Sequence, residues 1–567
     1  MSARPHALNI RARRPRSRLV RLPLLAAAAT ALALTSACSS GTTAASPGGD
    51  AAGKPVQGGS IVFAVDTEPV SFDIHASPQD ITGAIQRNVF DSLVSQSADG
   101  SFHPWLATSW EVSSDYKTYT FHLRHDVTFT DGTKFDADAV KANFDHIVAP
   151  STKSQYAASL LGPYTGTQVV DPYTVKVSFS QSFAPFLQAA STPYLGFYSP
   201  AAIKKYGAGL AAGGPDDVGT GPYVFAGYTK GQSAVLTRNP NYHWGPATAA
   251  HQGAAYLNQI TVRFLPEDSV RVGALTSGQI QVAAAVPPVQ VQQVTANPQL
   301  KAYAGKAPGA VYSLVLNTTV APLDDQRVRE AIQRGIDLDT DVKSVYFGVN
   351  QRAWSPLSPS TPDYDASLEG AWKFDPALAN QLLDQAGWTG RDSAGYRTKN
   401  GKRLTVEWPL MPQQYIREQR DVLGQAIQGD LKKIGVEITR PRLDIGTYIA
   451  KVYGGKEGIA DYSWARFDPD VLRLYFNSAS EPAKGGQNAT FYKDAQLDQW
   501  TDQGEATLDP ATRSSVYQQT QRRATVDLSL IVPVYVDNVT IGATSKLHGF
   551  HLDPNTWADF YDAWLGN

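Results

Sequence analysis

One cysteine, Cys38, in a chain of 567 residues decides how this protein has to be stabilised. Without a second cysteine no intramolecular disulfide can form, so the folded state depends on buried apolar surface. Hydrophobic residues make up 42% and charged residues 18% of the chain, which is typical of globular proteins and excludes a mostly disordered chain. A chain of this length can bury several cores and predicts about three or four domains.

The residues before Cys38 have the pattern of an export signal. Residues 1–37 contain seven arginines and no acidic residue, and residues 22–34 carry no charge. Thirteen residues of helix span about 20 Å, which is too short for a bilayer core of about 30 Å. Small residues, Ser36 and Ala37, then precede the cysteine. We predict that residues 1–37 are a signal peptide, exported by either the general or the twin-arginine route.

The four residues Thr-Ser-Ala-Cys ending at Cys38 resemble the lipobox of bacterial lipoproteins, although Thr35 stands where leucine is usual. This resemblance implies that Cys38 is lipidated and becomes the mature N-terminus. The alternatives are a buried free thiol and a soluble secreted product. Residues 38–58 are rich in small residues and predict a flexible tether. The body is therefore expected outside the cytoplasm, anchored by lipid to the outer face of the cell membrane.

The charge pattern argues against a nucleic-acid partner. Removing residues 1–37 leaves 43 basic and 52 acidic residues. Phosphate binding needs a clustered basic surface, and the rest of the sequence has no run of basic residues. We expect no nucleic acid among the partners.

Short apolar and alternating segments predict a body of mixed α and β structure. Residues 61–65 form a continuous apolar run typical of a buried strand, and residues 119–123 alternate apolar with polar side chains. An acidic cap followed by apolar residues at helical spacing predicts helices after Asp136 or Asp138 and after Asp375. This periodicity indicates an α/β body in several parts and does not indicate its function.

Sequence motifs for catalysis are missing. A GxxxxGK[ST] loop, a GxSxG elbow, HExxH and paired CxxC do not occur. The nearest approach to a metal-binding set is His548 and His551 with Asp553, which a solvated turn explains better. Acidic pairs such as Asp324-Asp325 are explained as helix caps, because sequence neighbours on a helix do not face one another. We therefore predict no enzyme, no metal site and no cofactor.

Seven blocks stand in order from about residue 60 to the end. Two of them are Val-Gly-Thr-Gly-Pro-Tyr at 218–223 and Arg-Asn-Pro-Asn-Tyr at 238–242. The others are residues 106–140, 316–318 with 323–332, 377–388, 430–436 and 531–535. Together they resemble the family 5 extracellular solute-binding proteins, the dipeptide/oligopeptide-binding type of bacterial ABC importers. Most of these residues have an architectural explanation as turns and caps, so the resemblance does not identify the solute.

The resemblance implies an α/β, periplasmic-binding-protein-like fold of class II, with two α/β lobes joined by crossing hinge segments and an extra lobe. The hinge is expected near residues 316–319 and 531–536. The predicted division is a signal peptide at 1–37, a tether at 38–58, lobe I at 59–80, 215–316 and 531–567, lobe II at 81–214, and lobe III at 317–530.

Loops expected to face the cleft supply the candidate ligand contacts. They are Phe72, His75, Trp354, Trp408, Tyr462, Trp464, Arg466, Phe467 and Asp468. For each aromatic residue, plain core packing is the competing explanation.

Peptide-binding relatives often carry an acidic residue just before the Asp-Pro at 468–469, where it pairs with the peptide amine. This chain has Arg466 near that position, and an arginine cannot pair with an ammonium group. Asp461 or Asp468 can take this role if either points inward. Otherwise the segment suits an oligosaccharide, a modified peptide or an anionic ligand held by Arg466, which can equally form an ion pair with Asp468 or Asp470.

The resemblance thus implies a monomeric receptor of an ABC importer. It captures a peptide-like or oligosaccharide-like solute and delivers it to the permease subunits in the membrane. One rival is a surface-anchored hydrolase of glycans or peptides, which needs two carboxylates, or a nucleophile with its base, converging in the cleft. Another is the same fold acting as a sensor or chaperone without transport.

Overall fold

The computed structural model describes residues 53–416 and 419–566. The predicted signal peptide, the lipidation site Cys38 and residues 38–52 of the predicted tether lie outside them. Within the described residues, no helix has both the length and the hydropathy needed to cross a membrane.

A seven-stranded sheet brings together strands that are far apart in sequence. The apolar run at its centre forms Ser60–Val65, which pairs in parallel with Gln259–Phe264 and with Val282–Ala283. The buried run predicted at residues 61–65 is therefore confirmed as a strand. The spatial order of the sheet is Leu300–Lys306, Asn538–Thr544, Val282–Ala283, Ser60–Val65, Gln259–Phe264, Ser233–Arg238 and Tyr223–Thr229.

Two four-stranded sheets accompany it. The N-terminal four-stranded sheet has the order Ala107–Val112, Thr118–Leu123, Thr174–Phe179 and Tyr164–Asp171. The predicted alternation is seen in Thr118–Leu123, where every second side chain is buried. The C-terminal four-stranded sheet has the order Gln351–Arg352, Ile531–Val536, Ala310–Leu316 and Ile459–Trp464.

Shorter strands form small sheets around these three. They are Gly390–Arg391 with Arg397–Lys399 and Lys402–Arg403, Thr405–Glu407 with Glu437–Thr439, Val94–Gln96 with Phe102–Pro104, Leu547–His548 with Trp564–Leu565, and His551–Leu552 with Ala558–Asp559.

Helices cover the sheets, and acidic side chains cap several of them. Asp136 accepts a hydrogen bond from the Ala139 amide, and Asp375 accepts one from the Leu378 amide, which confirms two predicted helix starts. The α-helices are Asp80–Gln86, Ala137–Val148, Ala157–Leu161, Phe186–Ala189, Pro200–Tyr206, Asp268–Thr276, Pro288–Thr295, Gln326–Arg334, Leu338–Val345, Pro376–Gln385, Arg420–Lys433, Ile445–Tyr453, Val471–Phe476, Ala495–Glu505 and Pro510–Arg522. Short stretches of 3-10 helix are Pro193–Leu195, Gly207–Ala212, Ala366–Leu368, Gln413–Tyr415 and Pro482–Lys484, and a π-helical turn is Arg523–Asp527.

The chain passes twice between the seven-stranded sheet and the C-terminal four-stranded sheet. One connection is residues 307–309 and the other is the single residue Asp537. The Ala307 amide donates a hydrogen bond of 2.9 Å to the Asp537 carbonyl, so the two connections lie side by side. The sequence predicts the hinge near 316–319 and 531–536. Because Ile531–Val536 is a strand of the C-terminal sheet, the connections lie a few residues nearer the seven-stranded sheet. The lobe boundaries stay a prediction.

Candidate functional site

The edge strand Ile459–Trp464 of the C-terminal four-stranded sheet carries several of the predicted ligand contacts. Side chains alternate along a strand, so Asp461 and Ser463 project to one face and Tyr462 and Trp464 to the other. The contacts follow this alternation. Asp461 meets Tyr312 and Trp408 on its face, whereas Tyr462 packs on the opposite face with the core around Tyr475.

Asp461 is held by two hydrogen-bond donors. The Tyr312 hydroxyl donates to Oδ2 at 2.5 Å, and the Trp408 indole N–H donates to Oδ1 at 3.0 Å. Burial raises the pKa of Asp461 above its ordinary value, and the two hydrogen bonds and the nearby charges of Arg420 and Arg440 oppose that shift. Since a carboxylate offers about four acceptor positions, Asp461 has acceptor capacity beyond these two bonds.

Arg420 lies on the same face as Asp461, at the start of the helix Arg420–Lys433. Its Nε donates to the Tyr535 hydroxyl at 2.8 Å, and its Nη2 donates to the Ser463 hydroxyl at 3.3 Å. The guanidinium carbon lies 4.4 Å from the centre of the Tyr312 ring. Tyr312 in turn stacks on Tyr535 with 4.8 Å between ring centres. Two sequence segments thus supply aromatic rings beside this cation, and a third supplies the Ser463 hydroxyl.

A small, partly enclosed cavity opens beside Arg420 and Asp461. It is lined by Leu410, Met411, Tyr415, Ile416, Arg420, Asp421, Arg440 and Asp461. The lining combines an apolar wall with charges of both signs, and the free volume is about 20 Å³, which is room for about one water molecule. A more open groove lies along the N-terminal four-stranded sheet around His122 and Tyr173, and none of the predicted contacts lines it.

Trp464 and Arg466 meet a different part of the chain. The Trp464 ring lies 6.3 Å from the Tyr156 ring, and the Arg466 guanidinium lies 5.9 Å from the same ring. Trp464 also packs against two cores, one belonging to the seven-stranded and N-terminal sheets and one belonging to the C-terminal sheet. We call the part with the seven-stranded and N-terminal sheets one half of the body and the part with the C-terminal four-stranded sheet the other half. These two predicted residues therefore lie where the two halves touch.

The two candidates from the first loop lie inside the protein. Phe72 is 1% exposed and packs edge-on against Phe225 and Tyr228. His75 is fully buried, and its ring nitrogens lie 3.0 Å from the Gly196 carbonyl and 3.0 Å from His146 Nδ1. Burial lowers the pKa of His75 to about 3. Their predicted contact with ligand gains no support from this placement.

Three other aromatic candidates are engaged in internal contacts. Trp354 stacks under the Arg352 guanidinium at 3.3 Å. Trp408 is buried between Asp461 and the Arg440 guanidinium, which lies 4.6 Å from its ring. The Tyr462 hydroxyl donates to the Gln487 carbonyl.

The remaining candidates lie on the segment that follows the edge strand. Phe467 is buried, and Asp468 forms an ion pair of 2.6 Å with Arg513. The neighbouring Asp470 pairs with Arg473 at 3.0 Å. Both acids expected as alternative partners of Arg466 are thus engaged with other arginines.

Sequence reasoning missed Tyr312, Tyr535, Arg420 and Tyr156. Tyr535 was included in a family block but explained as architecture, and the others carry no local signal. They become neighbours of the predicted residues only through pairing and packing between distant segments.

No cluster of three or more metal-ligating side chains occurs in the described ranges. His551, from the set considered for metal, lies 3.4 Å from Asp559 instead.

Comparison with known proteins identifies the family of this chain. The model for "Bacterial extracellular solute-binding proteins, family 5 Middle" matches residues 101–486. The glutathione-binding protein GsiB of Shigella dysenteriae serotype 1 is 28% identical over 511 residues, which cover 89% of this chain and 94% of that protein.

Two solved structures have the same fold. NikA from Brucella suis, in complex with Fe(III)-EDTA, has a TM-score of 0.78 and 26% identity, covering 89% of this chain and 100% of its own. DppA from Helicobacter pylori, in complex with the peptide STSA, has a TM-score of 0.73 and 25% identity, covering 90% and 99%.

The chain belongs to family 5 of the bacterial extracellular solute-binding proteins. The predicted family and class II binding-protein fold are confirmed, and so is the role of solute-binding receptor. Members of the family are extracytoplasmic, substrate-binding components of transporters.

Proposed function

We propose that this receptor captures a short peptide-like solute and hands it to the permease subunits of an ABC importer. It is held at the outer face of the membrane by a lipid on Cys38, works as a monomer and carries out no covalent chemistry. Closure around the solute is a shift of population towards a state in which the solute touches both halves of the body.

The observation that carries the peptide-like assignment is the position of Asp461 in the wall of the cavity. A peptide amine needs a carboxylate partner when it leaves water. Asp468, the other acid considered for this role, is engaged by Arg513 at 2.6 Å, whereas the described donors to Asp461 are the neutral Tyr312 and Trp408. Arg420 and Arg440, which line the same cavity, also act electrostatically on Asp461, while its hydrogen bonds come from the neutral donors.

The surroundings of the aromatic candidates favour a peptide over an oligosaccharide. Sugar rings need an accessible aromatic face. Trp354 is covered by Arg352, and Trp408 is buried against Arg440. The relatives support the same choice, since one is described as glutathione-binding and another structure holds the peptide STSA.

A thermal-shift screen of the purified receptor tests this function. The full chain is produced in a bacterial host and purified in detergent, and it is titrated with glutathione, with peptides of two to eight residues and with oligosaccharides. A solute at 100 times its dissociation constant adds about 2.7 kcal/mol of stability, which raises the melting temperature measurably. We expect a response to glutathione or peptides, and a response only to oligosaccharides would contradict the proposal.

Matched variants locate the amine site. Asp461→Asn keeps the shape of the side chain and removes its charge, so it is expected to weaken binding of any responding peptide. Asp392→Asn is the control, because Asp392 is an acid in an ion pair with Arg403 and does not line the cavity. Hydrolysis of any bound solute by the purified protein would favour the rival hydrolase.

A further inference from the structure

We propose that the open groove along the N-terminal four-stranded sheet is a second ligand site and that it takes a neutral oligosaccharide. The groove has a volume of about 640 Å³, within the range of about 300–1,000 Å³ for small-molecule sites, whereas the cavity beside Asp461 has about 20 Å³. None of the residues predicted for solute capture lines the groove. The proposal therefore stands independently of the proposed function.

The floor of the groove consists of solvent-facing side chains from three neighbouring strands. Along Thr118–Leu123 every second side chain enters the core, which leaves His122 on the outer face of the sheet. Strand pairing places Thr174 opposite His122, with 3.4 Å between the threonine hydroxyl and the imidazole Nδ1. From the strand on the other side, the Thr108 hydroxyl donates to the His122 carbonyl at 3.1 Å. Hydroxyl and imidazole groups thus share one surface.

Irregular strand pairing borders the groove at two places. The pairing of the first two strands of the sheet shifts at Thr108, and the pairing of the last two shifts just before Asp171. After the second shift Asp171 stands opposite Thr174, which brings a carboxylate to the groove. Bulges change the direction of side chains and are frequent beside binding and active sites. These two irregularities therefore agree with a built site rather than a plain sheet surface.

The charged groups of the lining favour a neutral ligand. Arg124 donates from Nε and Nη2 to the Asp126 carboxylate at 2.9 and 2.7 Å, and these hydrogen bonds lower the pKa of Asp126. The Tyr173 amide donates to Asp171 at 2.8 Å and lowers the pKa of that acid as well. Both acids are therefore ionised at neutral pH. An anion in the groove would lie beside two carboxylates, and a cation would lie beside Arg124.

A flat aromatic surface completes the groove. The His125 ring stacks on the Tyr173 ring, with 3.9 Å between ring centres and 13° between the planes. Tyr173 packs against the core, so it holds the outer ring in place. His125 is exposed, and since one face of its ring lies on Tyr173, the other face is turned to solvent. The apolar C–H face of a sugar ring can pack on such a surface.

The hydrogen-bonding groups suit sugar hydroxyls, which both donate and accept. A carboxylate has about four acceptor positions, so Asp126 and Asp171 can accept more hydrogen bonds than they do. A guanidinium has five N–H donors, of which Arg124 uses two on Asp126. Trp354 and Trp408 have covered rings and disfavour a sugar where they lie, whereas the open ring of His125 favours one here.

Titration of the full chain with neutral oligosaccharides tests the proposal. The protein is produced in a bacterial host and purified in a detergent without a sugar headgroup, because such a headgroup would compete. Chitotetraose, cellotetraose and maltotetraose are titrated by calorimetry, and we expect at least one of them to bind. Sedimentation with insoluble chitin and cellulose then distinguishes a polymer from a free oligosaccharide as the source of the sugar.

Variants of exposed side chains locate the binding. His125→Ala removes the open ring and should weaken binding about twofold to tenfold, the range for one aromatic contact. Thr174→Val keeps the β-branched shape, removes a hydroxyl from the floor and should weaken binding by a similar factor of about twofold to tenfold. Tyr453→Ala is the control, since Tyr453 is also an exposed aromatic residue and does not line the groove. Asp461→Asn should leave sugar binding unchanged.

The outcomes separate this proposal from the peptide function. Sugar binding that is weakened by both groove variants and not by Tyr453→Ala supports the groove, and retention on a polymer that depends on His125 does so even if the tetraoses do not bind. Equal affinity of the wild type and both groove variants refutes it. If sugar binding is lost in Asp461→Asn alone, the sugar occupies the other cavity, against both proposals. If neither tetraoses nor polymers bind, the groove is refuted, and the peptide titrations decide the proposed function separately.

Discussion

Replacing Gly309 by alanine tests whether the connection between the two sheets is tied to the end of the site strand. Gly309 is the last residue of the connection at 307–309 and has a φ of +90°, in the region that favours glycine. A Cβ atom at this position would lie 2.3 Å from the Trp464 carbonyl oxygen and 2.4 Å from the Arg466 amide nitrogen. Both contacts are to backbone, so no side-chain rotation relieves them.

The expected loss of stability has two parts. A left-handed conformation costs a residue with a Cβ about 1–2 kcal/mol. Displacing a packed backbone segment costs about 1–3 kcal/mol more, by analogy with overpacked cores. Gly395→Ala is a matched control, because Gly395 has a φ of +85° and no atom within 4 Å of the added Cβ. Gly395→Ala should therefore lose only the free energy that the left-handed conformation costs a residue with a Cβ.

Urea unfolding followed by tryptophan fluorescence measures both variants against the wild type. We expect Gly309→Ala to lower the free energy of unfolding by about 2–5 kcal/mol and Gly395→Ala by about 1–2 kcal/mol. Gly309→Ala should also weaken solute binding, because Trp464 and Arg466 have to move, whereas Gly395→Ala should leave binding unchanged. If the two variants lost the same free energy of unfolding, the close packing of the connection against the end of the strand would be refuted.

Three further results are expected. Asp468→Asn leaves Arg513 without its carboxylate and should cost about 3–5 kcal/mol in urea unfolding, whereas an unchanged midpoint would show the ion pair to be dispensable. The pKa of His75 is about 3 in the folded protein against 6.5 ordinarily, so the unfolded state binds the proton more tightly. The contribution of His75 to stability should therefore be complete above pH 6.5 and decline towards pH 3. Unfolding midpoints measured at pH 7 and pH 5 should show a smaller decline for His75→Gln than for the wild type. Cys38→Ser should move the protein from the membrane fraction to the soluble fraction, and its retention in the membrane would exclude the proposed lipid anchor.

The sequence predicted the fold well because its strongest signals are local. The alternation in Thr118–Leu123 and the caps at Asp136 and Asp375 each depend on residues close together in the chain, and the structure confirms them. The family blocks add the order in which such elements occur, which is why the class of fold followed from them. The order of strands within a sheet cannot be predicted from local patterns, since Ser60–Val65 pairs with a strand about two hundred residues away.

The site was predicted only in part, for a physical reason. Trp408 and Asp461 were considered separately from sequence, but their hydrogen bond joins two segments that local patterns do not relate. Arg420 begins a helix in a stretch without a binding motif, and only the pairing of Ala310–Leu316 with its two neighbouring strands brings Tyr312 and Tyr535 to it. The charges of this cavity are assembled by tertiary packing, so the residue types are visible in the sequence while their partners are not.

The connection at 307–309 and the strand Ile459–Trp464 lie between the cavity and the contact of the two halves. A Cβ added at Gly309 would meet the backbone of residues 464 and 466, and the side chains of Trp464 and Arg466 reach Tyr156 in the other half of the body. Asp461 and Ser463 lie on the same strand and contact the Tyr312–Arg420 group. A change at the connection is therefore expected to shift the end of the strand that contacts the other half. The strand thus joins the wall of the cavity to the contact between the two halves, and any solute that drives closure has to favour one relative position of those halves.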